Sequence, residues 1–381
     1  MTDFQRSYPA ARLVAPRLHA HFAGHIEAAR ARGVEPTAIL PDVEAIEAIV
    51  DAAFWASLRR EENSVPKISL AFLPPGETAH TLRFEHPLAL GATALTRVSP
   101  AVERAGIHLG VWRFDGELRV WGATQTVPAF AFVLEVAAPG LLVVKHHRGD
   151  DTGKFLNVAV LEGDQVKVVD EHASSLPDCP DLLASLVGFN APASWTQAPN
   201  VLVQLAVSMR AHGRGGLLLV IPAVNTGWRD SIVQPIAYGL DPAFTRLNDL
   251  VAELAGRQPD WRWRQAVDRV VDSIAGLTAV DGAAVMTDRY ELLAFGAKIV
   301  RRRGGPPVER VALTEPIEGS NAAVVAPAQL GGTRHLSAAQ FIQDQQEGLA
   351  LVASQDGRFT IFAWSPCENM VHAHRVDALL L

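Results

Sequence analysis

The run GLLLVIP, residues 216–222, decides the fold class of the C-terminal half of this chain. It is apolar throughout and rich in Leu, Val and Ile, which is typical of a strand buried on both faces of a sheet. The pattern VLVQLAVSMRAHG before it predicts a helix that ends at Gly213. Helical patterns and short apolar strands alternate after it. This alternation predicts an α/β class, with a three-layer mixed sheet flanked by helices.

The elements after residue 222 are predicted from the same periodicities. Helical spacing indicates helices over 242–256 and 262–277, and a third from about Ser337 to Gln346 between the last strands. The predicted strands are short and mostly apolar, and they cover residues 281–287, 291–300, 308–316, 349–354 and 358–364.

The N-terminal half has a different pattern. Residues 10–60 predict two helices, the first ending at Gly33 and the second with Asp42 at its N-cap. Residues 67–170 contain short runs rich in β-branched and aromatic residues, and Asp115-Gly116 between two of them indicates a hairpin. We therefore expect an α+β domain with a largely antiparallel sheet.

A stretch rich in Pro, Asn and Ser separates the two halves. Its sequence is NAPASWTQAPN, residues 190–200, and such a composition is typical of a domain boundary. We place the boundary there, which gives an N-terminal domain over 1–195 and a C-terminal domain over 196–381.

Composition excludes several classes of protein. The net charge of −7 argues against general nucleic-acid binding. The two cysteines, Cys179 and Cys367, form no CxxC pair and no disulfide framework. The N-terminus lacks the apolar segment of a secretory signal, and no apolar run approaches the length of a membrane-spanning helix. We therefore expect a cytoplasmic protein that does not enter a membrane.

The segment GGTRHLSAAQ, residues 331–340, has the composition of an anion site. Glycines before a helix expose backbone N–H groups at the positive end of the helix dipole. Thr333 and Ser337 add hydroxyl donors, Arg334 adds a guanidinium that binds phosphate through two hydrogen bonds, and His335 adds an imidazole. A loop before a capped helix, with Ser337 as the N-cap, explains the same residues without a ligand.

Two further segments fit a nucleotide site. Asp281 begins an apolar strand, and a carboxylate beside phosphates commonly holds Mg²⁺ or Mn²⁺. Gly282 allows a ligand or another backbone to come close, and Gly296 within AFGAKI leaves room for a flat base against its strand. An ordinary Asp-Gly turn explains the first of these segments equally well.

These segments together resemble the diadenylate cyclase (DAC) domain of bacterial cyclic di-AMP synthases and of the DNA-integrity-scanning checkpoint protein. The family carries D-G-A at a strand start and G-T-R-H-R-[ASTG]-A at a helix start. Here they read Asp281-Gly282-Ala283 and GTRHLSA over residues 332–338. The Gly-rich entry into the strand at 216–222 and the segment LALVASQDG, residues 349–357, are also similar. The N-terminal half looks like the sensor-type domains that precede soluble DAC domains.

The resemblance implies that two ATP molecules condense to cyclic di-AMP with release of pyrophosphate. Two such domains would meet face to face in a homo-oligomer, each holding one ATP, with Mg²⁺ or Mn²⁺ as cofactor. Asp281, Arg334 and His335 would be catalytic, with Asp281 binding the metal or orienting the 3′-hydroxyl. The other nucleotide contacts would come from Gly282, Ala283, Gly296, Ile299, Gly332, Thr333, Ser337 and Ser354.

Two positions depart from the family pattern. Leu336 stands where the family has a second arginine, and Gln355 stands where it has an acidic residue, with Asp356 one position later. The basic run at 301–303 is a candidate replacement for the lost arginine. The departures leave two functions open: a sensor-regulated cyclase, and a DAC-like module that binds a nucleotide without turnover. A third alternative is an interaction protein that acts through its N-terminal sheet.

Overall fold

A computed structural model describes residues 7–33, 38–60, 64–76, 81–104, 106–147, 155–170, 201–254 and 260–381. Contacts divide the chain into two units, Met1–Val169 with Leu381, and Asp170–Leu380. The predicted boundary between residues 195 and 196 lies outside the described residues and stays a prediction. Both units combine helices with a mixed sheet, in agreement with the predicted α+β and α/β classes.

The described part of the first unit has three helices and an eight-stranded sheet. The helices are α1 (Pro9–Ala31), α2 (Val43–Ser57) and α3 (Ala92–Val102). The strands are β1 (Ser69–Phe72), β2 (Leu82–Ala89), β3 (His108–Phe114), β4 (Glu117–Thr124), β5 (Phe132–Ala138), β6 (Leu141–His147), β7 (Phe155–Glu162) and β8 (Gln165–Val168). Their order is β2-β4-β3-β1-β5-β6-β7-β8, and β1 with β3 is the parallel pair among otherwise antiparallel neighbours.

Local chemistry explains several elements of this unit. The Asp42 carboxylate caps α2 by accepting from the Ala45 N–H at 2.7 Å. Asp115 and Gly116 both have positive φ, as the predicted two-residue hairpin between β3 and β4 requires. Helix α3 was not predicted, because Pro100 and several β-branched residues obscure its helical period.

The described part of the second unit contains four helices and a nine-stranded sheet. The helices are α4 (Val201–Ala211), α5 (Arg246–Glu253), α6 (Trp261–Thr278) and α7 (Thr333–Asp344). The strands are β9 (Gly216–Ile221), β10 (Tyr238–Phe244), β11 (Ala283–Thr287), β12 (Leu292–Ala297), β13 (Val311–Thr314), β14 (Ala323–Val325), β15 (Leu349–Ala353), β16 (Phe359–Ser365) and β17 (Met370–Arg375). Their order is β10-β12-β11-β9-β15-β16-β17-β13-β14.

Strand β9 lies in the middle of three layers, as its apolar sequence predicts. Leu217, Leu219 and Ile221 face a core that includes the buried side of α7. Leu218 and Val220 face the opposite core, which α4, α5 and α6 cover. The alternation of side chains along a strand thus places helices on both faces of the sheet.

Three details differ from the predicted elements. Helix α7 begins at Thr333 and not near Ser337, so the whole GTRH segment lies at its first turn. Residues 242–244 belong to β10 and not to a helix. Strands β10, β14 and β17 were not predicted. Gly239 and Pro242 interrupt the apolar pattern of β10, which an edge strand tolerates because one side of its backbone needs no ladder partner.

Candidate functional site

The predicted site motifs meet at one end of the nine-stranded sheet. Strands β9 and β11 begin there, with Gly216 and Ala283 as their first residues. The antiparallel neighbours end there, because Ala297 pairs with Ala283 and Ala353 pairs with Gly216. We call this region the motif end, and it comprises residues 213–216, 281–283, 296–299, 331–337 and 353–359.

Arg334 connects helix α7 to the glycine turn before β9. A methyl group at Gly215 would lie 2.8 Å from Arg334 Nη1 and 3.4 Å from Gln355 Cγ. Gln355 Nε2 in turn donates to the Arg214 carbonyl at 3.4 Å. The guanidinium therefore lies against the turn before β9, where the φ of 73° at Gly215 favours glycine and a side chain would have to displace Arg334.

Asp281 forms an ion pair with Lys298, which follows β12 on the neighbouring strand. The Asp281 side chain is 93% exposed and that of Lys298 is 52% exposed. The hydrogen bond and charge of Lys298 lower the pKa of Asp281, and the positive charge of Arg334 lowers it further. Asp281 is therefore ionised at neutral pH. Sequence reasoning missed Lys298, although an isolated basic residue directly after an apolar strand is a usable signal.

The backbones of Gly282 and Gly296 touch each other. A methyl group at Gly282 would lie 2.5 Å from the carbonyl carbon of Gly296, and the φ of Gly282 is 119°. The close approach predicted at Gly282 is thus an approach to the adjacent strand. On the other side, a methyl group at Gly296 would lie 2.7 Å from Cδ2 of Tyr238.

Tyr238 is an exposed aromatic residue at the motif end that sequence reasoning missed. Its ring stacks on that of Phe295 with centroids 4.8 Å apart and an interplanar angle of 2°, yet the residue stays 51% exposed. The flat group beside Gly296 is therefore the protein's own tyrosine. The predicted contact of Gly296 and Ile299 with adenine stays a prediction, and Ile299 pairs with Ile232 through an isolated bridge.

The first turn of α7 offers backbone donors. Gly332 occupies the N-cap position without a side-chain cap, and Gly332 and Thr333 are exposed. Ser337 is half-buried inside the helix, so it is not the N-cap that the alternative interpretation required. Leu336 is 46% exposed on the same turn.

His335 points away from the exposed donors of this turn. The residue is 4% exposed, its Nε2 lies 3.5 Å from Thr360 Oγ1, and a methyl group at Gly331 would lie 2.6 Å from its Nδ1. Burial lowers the pKa of His335, so the imidazole is neutral at neutral pH. Its contact with triphosphate stays a prediction. The described geometry makes it a residue that positions the start of α7 against β16.

The turn between β15 and β16 forms another wall of the motif end. The Ser354 N–H donates to the Arg358 carbonyl at 2.9 Å, and the Ser354 hydroxyl bonds to Asp356, which lowers the pKa of that carboxyl. Arg210 of α4 donates from Nε to the Gly357 carbonyl at 2.9 Å. Ser354 therefore helps to shape the turn. Its predicted contact with nucleotide stays a prediction. Ala283 is fully buried and contributes backbone alone.

The basic run at 301–303 lies far from Leu336. The Arg302 N–H donates to Asp344 Oδ2 at 2.7 Å, and Asp344 is the last residue of α7. Leu336 lies in the first turn of the same helix, so about 12 Å of helix separates the two positions. The expectation that this run replaces the lost arginine is therefore wrong, because it lies at the opposite end of α7.

No preformed metal cluster occurs in the ranges that the structure describes, since no three His, Cys, Asp or Glu side chains are grouped to hold an ion. The donor set at Asp281 is a single exposed carboxylate. Mg²⁺ usually takes one or two carboxylates and completes its shell with water and substrate phosphates. The residues present therefore fit an ion that arrives with a nucleotide, and they do not fit one that binds permanently without it.

Histidines of the first unit pack together. The rings of His21 and His25 of α1 lie 4.6 Å apart, and the His146 ring of β6 lies 5.0 Å from that of His25. Phe22 and Phe130 contact the same imidazole of His146. The cluster is an aromatic contact between a helix and the sheet.

A comparison with protein families finds a match within the first unit. Residues 35–125 match the family described as probable sensor domain DACNV. This range contains α2, α3 and strands β1 to β4. DACNV domains are associated with diadenylate cyclase proteins, so the expected resemblance of the N-terminal half to a sensor-type domain is confirmed over this range.

The other comparisons add little. The search of curated proteins found no match to this chain. Among solved structures, a hypothetical membrane spanning protein from Bacillus cereus is 15% identical, with 50% of this chain and 68% of that chain covered and a TM-score of 0.27. A TM-score of that size does not establish a shared fold. None of the helices in the described ranges combines the length and apolar character needed to cross a bilayer.

Proposed function

We propose that the second unit binds ATP at the motif end and condenses two ATP molecules into cyclic di-AMP. The observation that carries this proposal is the convergence of three segments distant in sequence. Asp281, Arg334 and the turn at 354–357 share one end of the sheet, where Arg334 touches Gly215 and its charge reaches Asp281. An exposed carboxylate, a fixed guanidinium and a helix N-terminus together suit a metal-bound triphosphate.

Each group would act mainly by position and charge. In the reaction, the 3′-oxygen of one ATP bonds to the α-phosphorus of the other, the bond from that phosphorus to the departing oxygen breaks, and pyrophosphate leaves. The reciprocal step closes the ring, and both hydroxyl protons pass to solvent. Arg334 and the N–H groups at the start of α7 would hold phosphate oxygens, and Tyr238 would border the base. Positioning and charge neutralisation supply most of the catalysis in phosphoryl transfer.

Asp281 would hold the divalent ion. Mg²⁺ or Mn²⁺ would neutralise the charge that develops on the phosphate oxygens. Because Lys298 already contacts Oδ2 of Asp281, this cation competes with an incoming ion for the carboxylate. The second ATP would come from another copy of the chain, since the motif end is exposed at one end of a single sheet.

The direct test is a product assay. Purified protein with ATP and Mn²⁺ or Mg²⁺ should yield cyclic di-AMP by mass spectrometry. The variant D281N should lower the rate by at least about 100-fold, as expected for loss of a metal ligand. D288N is the matched control, because Asp288 lies just beyond the opposite end of β11 and binds the Ala223 N–H at 2.9 Å. Absence of product with either metal, or an equal rate for D281N, would contradict the cyclase.

A second candidate is a nucleotide-binding module without turnover. Leu336 and Gln355 favour it, since both are exposed on the walls of the motif end and neither carries charge. ATP or cyclic di-AMP would then raise the melting temperature while no dinucleotide product formed. A melting temperature that no nucleotide changes would exclude both candidates.

We also propose that the first unit regulates the rate at which the second unit forms product. The DACNV match motivates it, because a sensor domain needs an output domain. Removal of residues 1–195 should change the rate of product formation, while nucleotide binding persists if the second unit folds independently. Equal rates for the full chain and the shortened chain would contradict such regulation.

A further inference from the structure

Lys298 forms an ion pair with Asp281, the carboxylate that would bind the metal ion in the proposed nucleotide site. Its ammonium contacts Asp281 Oδ2, and both side chains extend into solvent. An ion pair that is this exposed adds little to folding stability, because water screens the attraction and two long side chains lose freedom. Breaking this pair therefore costs the fold little, and its position at the motif end makes Lys298 available to an incoming anion.

The two cations beside Asp281 differ in freedom. Arg334 is half-buried and its guanidinium lies against the backbone at Gly215, so packing restricts its position. Lys298 is exposed and carries a compact charge on a flexible stem. Lys298 can therefore leave Asp281 and turn toward another anion more readily than Arg334 can.

We propose that Lys298 is an exchange cation, which covers Asp281 in the nucleotide-free protein and moves to the triphosphate when a metal–nucleotide complex binds. This inference rests on the proposed function. The exchange releases a carboxylate oxygen for the incoming ion and replaces one anionic partner of Lys298 with another. Free metal ions alone compete poorly for Asp281, because they bring no phosphate to accept the lysine.

The test measures two affinities on the full chain. Binding of Mn²⁺ alone is followed by water-proton relaxation, and binding of a non-hydrolysable ATP analogue with Mg²⁺ is followed by calorimetry. In K298M, Mn²⁺ alone should bind about two- to fivefold more tightly, since an exposed pair is worth at most about 1 kcal/mol. The analogue should bind about tenfold more weakly, as for loss of a charged hydrogen bond.

Two variants serve as controls. K298R keeps the charge and should leave the affinity for the analogue within about threefold, well short of the loss in K298M. R246M removes the exposed Arg246–Glu253 pair of α5, which follows the end of β10 away from Tyr238, and should change neither affinity. Circular dichroism and the melting temperature check that each variant folds.

The two affinities of K298M are expected to change in opposite directions, and this makes the test decisive. Opposite changes in K298M support the exchange. A change in the same direction for both ligands, or no change in either, overturns it while leaving the proposed function intact. Failure of the wild-type protein to bind the analogue overturns the proposed function, and the exchange with it.

Discussion

Single residues at the motif end show how glycine allows polar groups to meet. Gly215 lets the Arg334 guanidinium lie on the backbone before β9, and Gly282 lets two strand backbones touch. A side chain at either position would displace groups that the proposed site uses. The geometry of these residues therefore links the packing of the sheet to the placement of charge.

Substitution of Gly282 tests this packing. In G282A the new methyl group would lie 2.5 Å from the carbonyl carbon of Gly296 and would also strain a φ of 119°. We expect the free energy of unfolding to fall by at least about 2 kcal/mol, measured by urea denaturation. G319A is the matched control, since Gly319 has a φ of 78° but nothing within 4 Å, so it keeps the strain without the overlap. Equal losses in the two variants would show that the overlap is unimportant.

Tyr238 gives a second prediction at this scale. Its exposed ring borders Gly296, so it should contact the base of a bound nucleotide through stacking. Y238A should weaken binding of the ATP analogue by about tenfold, while Y238F, which keeps the ring, should bind almost as well as the wild type. Binding of inorganic triphosphate should be equal in all three proteins. Loss of triphosphate binding in Y238A would indicate general damage and not a lost base contact.

At the scale of elements, the motif end depends on contacts between turns and helices. Helix α7 brings its first turn to β9, and the turn between β15 and β16 meets both. Helix α4 holds that turn from outside, because Arg210 donates to the carbonyl of Gly357 at 2.9 Å and to that of Leu380 at 3.4 Å.

This arrangement predicts an effect of Arg210 at a distance. R210M removes hydrogen bonds from a charged donor and should lower the free energy of unfolding by about 1.5–3 kcal/mol. It should also weaken binding of the ATP analogue, because the Gly357 turn loses its support. R210K keeps the charge with a shorter reach and should lose less of both. Unchanged nucleotide affinity in R210M would show that the turn keeps its shape without α4.

Across the whole molecule, each unit contains a buried histidine with a depressed pKa. Burial lowers the pKa of His108 and of His374 from 6.5 to about 4. Above pH 6.5 both are neutral in the folded and unfolded chain and contribute no pH dependence. As the pH falls from 6.5 to about 4, the unfolded chain takes up protons that the folded chain does not, so stability is lost.

Unfolding as a function of pH tests this directly. The free energy of unfolding should fall by about 1.4 kcal/mol per pH unit for each of these histidines across that window. His374→Asn removes one titrating group, since its partner, Thr314 Oγ1 at 2.7 Å, can also bond an amide. The free energy of unfolding should then depend less steeply on pH. An unchanged slope would show that His374 is not responsible.

The amino-acid sequence by itself determined the local elements and the chemical groups of the site. The apolar run of β9, the caps and the Asp-Gly hairpin follow from side-chain volume, backbone freedom and spacing along the chain. Helices with irregular spacing, such as α3, and edge strands, such as β10, escaped prediction because tertiary packing outweighs their local pattern. The residue types of a phosphate site were also readable, since Asp281 and the GTRH segment carry them.

Only the tertiary structure decided which of those groups meet. Strand pairing joins Asp281 to Lys298 within the hairpin of β11 and β12, and it joins Arg334 to Gly215 because β15, which follows α7, pairs with β9 far back in the chain. It also places the run at 301–303 at the far end of α7 and turns His335 inward. Periodicity specifies the face on which a side chain lies, but the pairing of strands and the packing of helices determine its neighbours.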